Sequence, residues 1–182
     1  PDRQQGLALF DRALFGHIGF IISNAARAPF LGMTGGRLVK APRSRTRRYF
    51  QKATRMSAAF ALIVDAALMF LGGNLKRKEK LSGRLADILS NLYLLSAVLK
   101  LYEDRRRPQD EWPLVEWACE ESLVAIQESF AGILRNFPNR LVAWLLRLLI
   151  FPLGRPFTGP SDRLGHRVAG ILLEPSPARD RL

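Results

Sequence analysis

Few residues in this chain are of the kinds that do chemistry, and their spacing decides what they can do. Cys119 is the single cysteine and the two histidines are His17 and His166. No internal disulfide and no multi-cysteine metal site can be built from that set. Glu111, Glu116, Glu120, Glu121 and Glu128 recur along one predicted helix. Carboxylate metal bundles, however, pair glutamates with a histidine three residues on, and neither histidine stands in such a pair. The glutamates therefore read as a solvated face or a salt-bridge surface turned to a partner. His17, between Gly16 and Ile18, reads as a packed histidine, and His166 as a residue on the polar side of a late helix. Thr34-Gly35-Gly36-Arg37 has the small residues and the charge of a phosphate nest, but it lacks the strand-glycine-helix setting of a dinucleotide fingerprint and the lysine of a P-loop, so it reads as a turn. With no glycine-serine elbow and no patterned cysteine and histidine, catalysis by this chain alone is not expected.

Charge points to binding instead. The net charge is +12 over 182 residues, which favours an anionic partner: nucleic acid, phospholipid headgroups or a phosphorylated substrate. Arg43, Arg45, Arg47, Arg48, Lys52 and Arg55 form the most basic stretch, and no acidic residue stands between Arg12 and Asp65. These residues open the second predicted helix. Cations there oppose the helix dipole by a few tenths of a kcal/mol each (about 0.3 or more), so a binding role would account for them better than helix stability does. They are the candidate contacts to an anionic surface. A basic helical module for nucleic acid is the alternative reading, weakened because the cations are not interleaved with aromatics and no groove-reading helix is recognisable.

The elements that would position these groups are helices. Leu81, Leu85, Ile88, Leu92, Leu95, Leu99 and Tyr102 alternate steps of four and three, which marks one face of a long helix. Leu89, Leu94, Val98 and Leu101 widen its apolar stripe, so several neighbours are expected to cover it. The pattern predicts an all-α bundle of about five to six helices in a single domain, 1–182, with the long helix around 76–107 central. A first helix is predicted over 4–28, capped by Asp2, with Leu7, Phe10, Leu14, Ile18 and Ile21 on one side, then a Pro- and Gly-rich connection from Pro29 to Pro42. Met56 to Gly73 is long and apolar enough to raise a membrane span. Asp65 at its centre and its many alanines favour a buried bundle helix, whose carboxylate then needs an arginine or a helix N-terminus as partner. A helix over 112–136 carries the glutamates. A short one, 139–151, has Trp144, Leu145, Leu148 and Leu149 with arginines around them, in the manner of an interfacial helix or of a hairpin partner packed on the bundle. Ser161 caps a last helix ended by Pro175 and Pro177.

Several of these strings also resemble a known family. They are Glu79 to Lys100, Phe15-Gly16-His17-Ile18-Gly19, Ser23 to Ala28, Leu134 to Arg140, Phe151 to Arg155 and Gly159 to His166. Together they are similar to the carboxy-terminal extension of the long bacterial acyl-CoA dehydrogenases of the FadE type, and the likeness runs over nearly the whole chain. The resemblance implies a parent enzyme that oxidises long-chain acyl-CoA to trans-2-enoyl-CoA in the first step of fatty acid β-oxidation. It also implies that FAD and the catalytic glutamate belong to an upstream body and that an electron-transfer flavoprotein takes the electrons. Its catalytic residues match none here, so the chain is expected to be a piece of an enzyme. From its own residues it is expected to pack on the upstream body in a homodimer and, through Arg43 to Arg55 and Leu141 to Phe151, to attach to a membrane surface, in the cytoplasm or peripheral at the inner membrane.

Overall fold

A computed structural model describes residues 3–181. Among them are seven α-helices and no strand: α1 Arg3–Met33, α2 Arg47–Leu71, α3 Glu79–Asp104, α4 Trp112–Asn136, α5 Arg140–Ile150, α6 Asp162–Leu173 and α7 Pro177–Asp180, with 3-10 turns at Gly72–Arg77 and Gln109–Glu111. The all-α bundle expected from the periodicity is the fold. Asp2 and the side chain of His17 lie outside the described residues.

The seven heptad positions of α3, Leu81 to Tyr102, are all buried. They meet Val115, Cys119, Leu123, Ile126, Phe130 and Ile133 of α4 and Met56, Ala59, Ile63 and Ala67 of α2 in one continuous core. The alanines of α2 matter here because a methyl in place of a longer chain lets helix backbones approach. Burial pushes the Cys119 thiol up to about 12, which leaves it protonated and inert. The helix ends at Asp104 rather than near 107, because Arg106 and Arg107 take left-handed backbone angles of φ 60° and 62° and turn the chain toward α4. Lys76 and Arg77 belong to the 3-10 turn before it. The widening residues Leu89, Leu94 and Leu101 stay exposed in this chain; α3 lies on α2 and α4 and, among the described residues, has no helix on its outer side.

The first helix differs from the expectation at its end. It runs through Pro29 to Met33, because its last two turns carry the packing: Ala28 and Leu31 are buried and Gly32 lies against Pro152, which follows α5. Tertiary contact there outweighs the hydrogen bond that a proline removes. Thr34 then closes the helix in a Schellman cap, in which Gly36 N–H donates to Leu31 O at 2.9 Å and Gly35 N–H to Gly32 O at 3.4 Å, with Gly35 left-handed at φ 58°.

The two helices joined by this turn run antiparallel, with Gly36 beside Gln51 and Asn24 beside Asp65. Counting back from that pair, α2 runs out opposite about residue 18, so about fifteen residues of α1, roughly 22 Å of helix, project past the bundle. They carry large apolar side chains in the open, Leu9 and Phe15 each 69% exposed. By length and composition three helical stretches could cross a membrane: Gln5–Met33, Arg47–Arg77 and Glu79–Asp104. Burial differs among them, since the apolar window of the second is 44% buried in the bundle and that of the first not at all.

Candidate functional site: a basic cleft beside an exposed apolar helix

The six cations at the start of α2 are not equally exposed. Arg43, Arg45, Arg47 and Arg48 are exposed, and the Arg45 guanidinium lies 5.9 Å from the centre of the Trp112 ring. Arg48 donates to Gln51 Oε1 at 2.6 Å, and burial, then Arg37 and Arg47, lower its pKa. Lys52 is half-buried between two rings, 5.0 Å from the centre of Tyr49 and 5.7 Å from that of Phe157. Its pKa is lowered by burial, against the pull of Glu120. Arg55 is buried; its Nη2 donates to Ile150 O at 3.4 Å, one of the open carbonyls at the end of α5, and its Nε has no partner. Burial lowers its pKa too. A cation there suits the negative end of the α5 dipole, which makes Arg55 a brace between α2 and α5. That use of a buried arginine leaves no trace in local sequence, since the carbonyl it serves is 95 residues away.

The glycine turn is no nest. The N–H groups of Thr34, Gly35, Gly36 and Arg37 are spent on Phe30, Gly32, Leu31 and Thr34. Gln51 then staples the turn to α2, its Nε2 donating to Arg37 O at 3.0 Å and Val39 O at 3.1 Å.

Four of the five glutamates meet partners within the chain, and Glu121 is exposed. Tyr49 Oη donates to Glu120 at 3.1 Å, Arg155 pairs with Glu128 at 3.0 Å and Arg167 with Glu116 at 3.8 Å. Buried Glu111 takes Arg181 at 2.6 Å and Arg105 at 3.6 Å. Tyr49 comes from α2, Arg155 from the segment after α5, Arg167 from α6 and Arg181 from the residues after α7, at sequence distances that no local pattern reveals.

The short helix α5 is two-sided. Its start is capped by Asn139, whose Oδ1 accepts from the N–H of Leu141 at 3.0 Å and of Val142 at 3.1 Å. Ala143, Leu146 and Ile150 are buried against the bundle, and Leu149 is half-buried against it. The opposite side is apolar and open: Leu141 is 74% exposed, Trp144 63%, Leu145 48% and Leu148 49%. One side of this helix is thus packed on the bundle, as a hairpin partner would be, and the other is left open.

Between these two sides, α5, the last turns of α4 and the segment 151–155 enclose a cleft of about 560 Å³. Arg135, Arg140, Arg147 and Arg155 line it together with Trp144 and Phe151. Arg140 and Arg147 share one strip of α5, seven residues apart, and Arg135 faces them from α4. The segment 151–160 is held by Gln127, whose Nε2 donates to Phe157 O at 2.8 Å while its Oε1 accepts from Phe157 N–H at 3.0 Å. Four guanidiniums around one concavity can hold anionic oxygens in paired hydrogen bonds. The sequence places Arg140, Arg147 and Arg155 beside an apolar helix as arginines able to reach headgroups, but not around one cleft with Arg135. Their convergence with Arg135 depends on the turn at Phe137 and Pro138.

Fold and site define a class: an all-α bundle with a charged cleft, open apolar faces and, among the described residues, no group of side chains suited to a metal ion. The chain belongs to the family described as acyl-CoA dehydrogenase, C-terminal, bacterial type, whose model matches residues 1–182. It is the C-terminal part of such an enzyme, and the family implies FAD in the parent. No solved structure matches the chain. The glycine turn 34–37 does not suit the phosphates of a dinucleotide: its N–H groups are spent, and no strand leads into it among the described residues.

Proposed function

We propose that the parent oxidises long-chain acyl-CoA to trans-2-enoyl-CoA, with FAD held in an upstream body and an electron-transfer flavoprotein as acceptor. In this reading the present domain packs on that body within a homodimer and attaches the enzyme to a membrane surface, cytoplasmic and peripheral at the inner membrane. The outward side of α5 carries the reading. Leucines and a tryptophan in the open on a helix whose other side is anchored have the composition of an interfacial helix, and exposed Arg43, Arg45 and Arg47 add attraction to anionic lipid of about 1 kcal/mol each near the surface. The exposed apolar sides of α1 and α3 supply the area that packing on a larger body needs. Long-chain acyl-CoA partitions into membranes, so attachment would bring enzyme and substrate together.

Vesicle flotation tests the attachment. The chain is expected to float with anionic vesicles at moderate salt, and the triple change Leu141→Ser, Leu145→Ser and Leu148→Ser, which spares the buried side of α5, is expected to abolish flotation with the helical signal unchanged. Equal flotation of both would remove α5 from the reading, and no flotation of either would end it.

A further inference from the structure

We propose that the cleft between α4 and α5 is a binding site for a phosphate-bearing ligand. Arg135, Arg140, Arg147 and Arg155 would hold the phosphate oxygens, and Trp144 and Phe151 would cover the apolar or aromatic group joined to them. The first argument is charge. Arg155 has Glu128 as an exposed partner, but among the described residues Arg135, Arg140 and Arg147 have no carboxylate partner. Elsewhere in the molecule Glu103, Glu111 and Glu116 each meet an arginine. Like charges converging on a concavity repel, and an anion of two or more charges relieves all of them at once.

The second argument is position. Arg135 and Arg147 stand in the last turns of α4 and α5, where a cation suits the helix dipole, but Arg140 is the first residue of α5, where it opposes the dipole. Local helix energetics do not account for Arg140; a bound anion does. The third is shape. A volume of about 560 Å³ lies within the range of small-ligand sites, and it places apolar rings beside the guanidiniums. A phosphate diester or monoester of a lipid and a free phosphorylated metabolite share this chemistry. The site uses Trp144 of the apolar side of α5 but none of its open leucines, so it stands or falls apart from membrane attachment.

Isothermal titration of the chain with inorganic pyrophosphate, ADP and soluble dihexanoyl phosphatidate tests the site. Binding is expected at micromolar to millimolar concentration, weakened about tenfold or more by the pair Arg140→Gln and Arg147→Gln. The pair Arg43→Gln and Arg47→Gln removes the same charge from an exposed segment and is expected to change binding about twofold at most. Tighter binding of the phosphatidate than of ADP assigns the site to a lipid headgroup, and the reverse order to a free metabolite. Equal weakening by both pairs, or no binding of any probe at millimolar concentration by a chain with normal circular dichroism, overturns the proposal. The leucine triple variant described above is expected to keep pyrophosphate binding while losing flotation, so loss of one leaves the other readable.

Discussion

Asn24 of α1 donates from Nδ2 to Oδ2 of Asp65 of α2 at 3.3 Å, and both side chains are buried. The carboxylate in the middle of the most apolar stretch of the chain is thus served by a neutral amide, not by the arginine or helix N-terminus expected for it. Arg55, the buried cation of the same helix, lies ten residues earlier, roughly 15 Å along the axis, and serves a backbone carbonyl of α5 instead. Helix α2 therefore carries two buried charges of opposite sign that do not meet. Each ties it to a different neighbour.

Removing the amide should leave the carboxylate buried without that donor. Asn24→Ala is expected to cost about 1–3 kcal/mol in urea unfolding, and Asp65→Ala in the Asn24→Ala background to cost less than in the wild type. Additive costs in this double-mutant cycle would mean that the pair does not interact.

Glu103 ties the segment before α2 to the end of α3. It accepts from Ser44 Oγ at 2.8 Å, from Thr46 Oγ1 at 2.5 Å and from Arg107 Nε at 2.8 Å. Burial pushes its pKa up, but the hydrogen bonds from Thr46, Ser44 and Arg107 outweigh that and hold it below the ordinary carboxylate value. A carboxyl whose folded pKa is depressed contributes stability above its unfolded pKa, and loses it as the pH falls through the folded value. The stability gap between wild type and Glu103→Gln is expected to be full above about pH 4.5 and to close on further acidification. A gap that does not change with pH would count against the hydrogen-bonded carboxylate.

Gly36 has φ 70°, and a Cβ there would meet the Gln51 carbonyl oxygen at 2.6 Å. Gly36→Ala is expected to destabilise by about 2 kcal/mol or more, from left-handed strain and from a backbone contact that cannot yield. Gly83→Ala, inside α3 with open space around its Cβ, should be neutral or stabilising by up to about 1 kcal/mol. Thermal unfolding of the two variants separates the cases, and equal stability would sink the account of the turn.

The sequence by itself determined the helices and the core face of the longest one. Apolar residues at steps of three and four can be buried together only on a helix, and Leu81 to Tyr102 keep that spacing without a break. It determined the cap at Ser161 as well, because a cap is made within three residues of itself. Tertiary structure decided whatever depends on which elements meet. Pro29 stays helical because α1 packs its last turns beside Pro152. Arg55 and Lys52 leave the basic surface because α5 and Phe157 cover them. Glu116, Glu120 and Glu128 are paired because α6, α2 and the segment after α5 bring Arg167, Tyr49 and Arg155 to them, and Arg135 joins Arg140 and Arg147 because the chain turns at Pro138. Local pattern fixes the direction in which a side chain leaves its helix, but not what stands opposite, since that partner is supplied by residues tens of positions away.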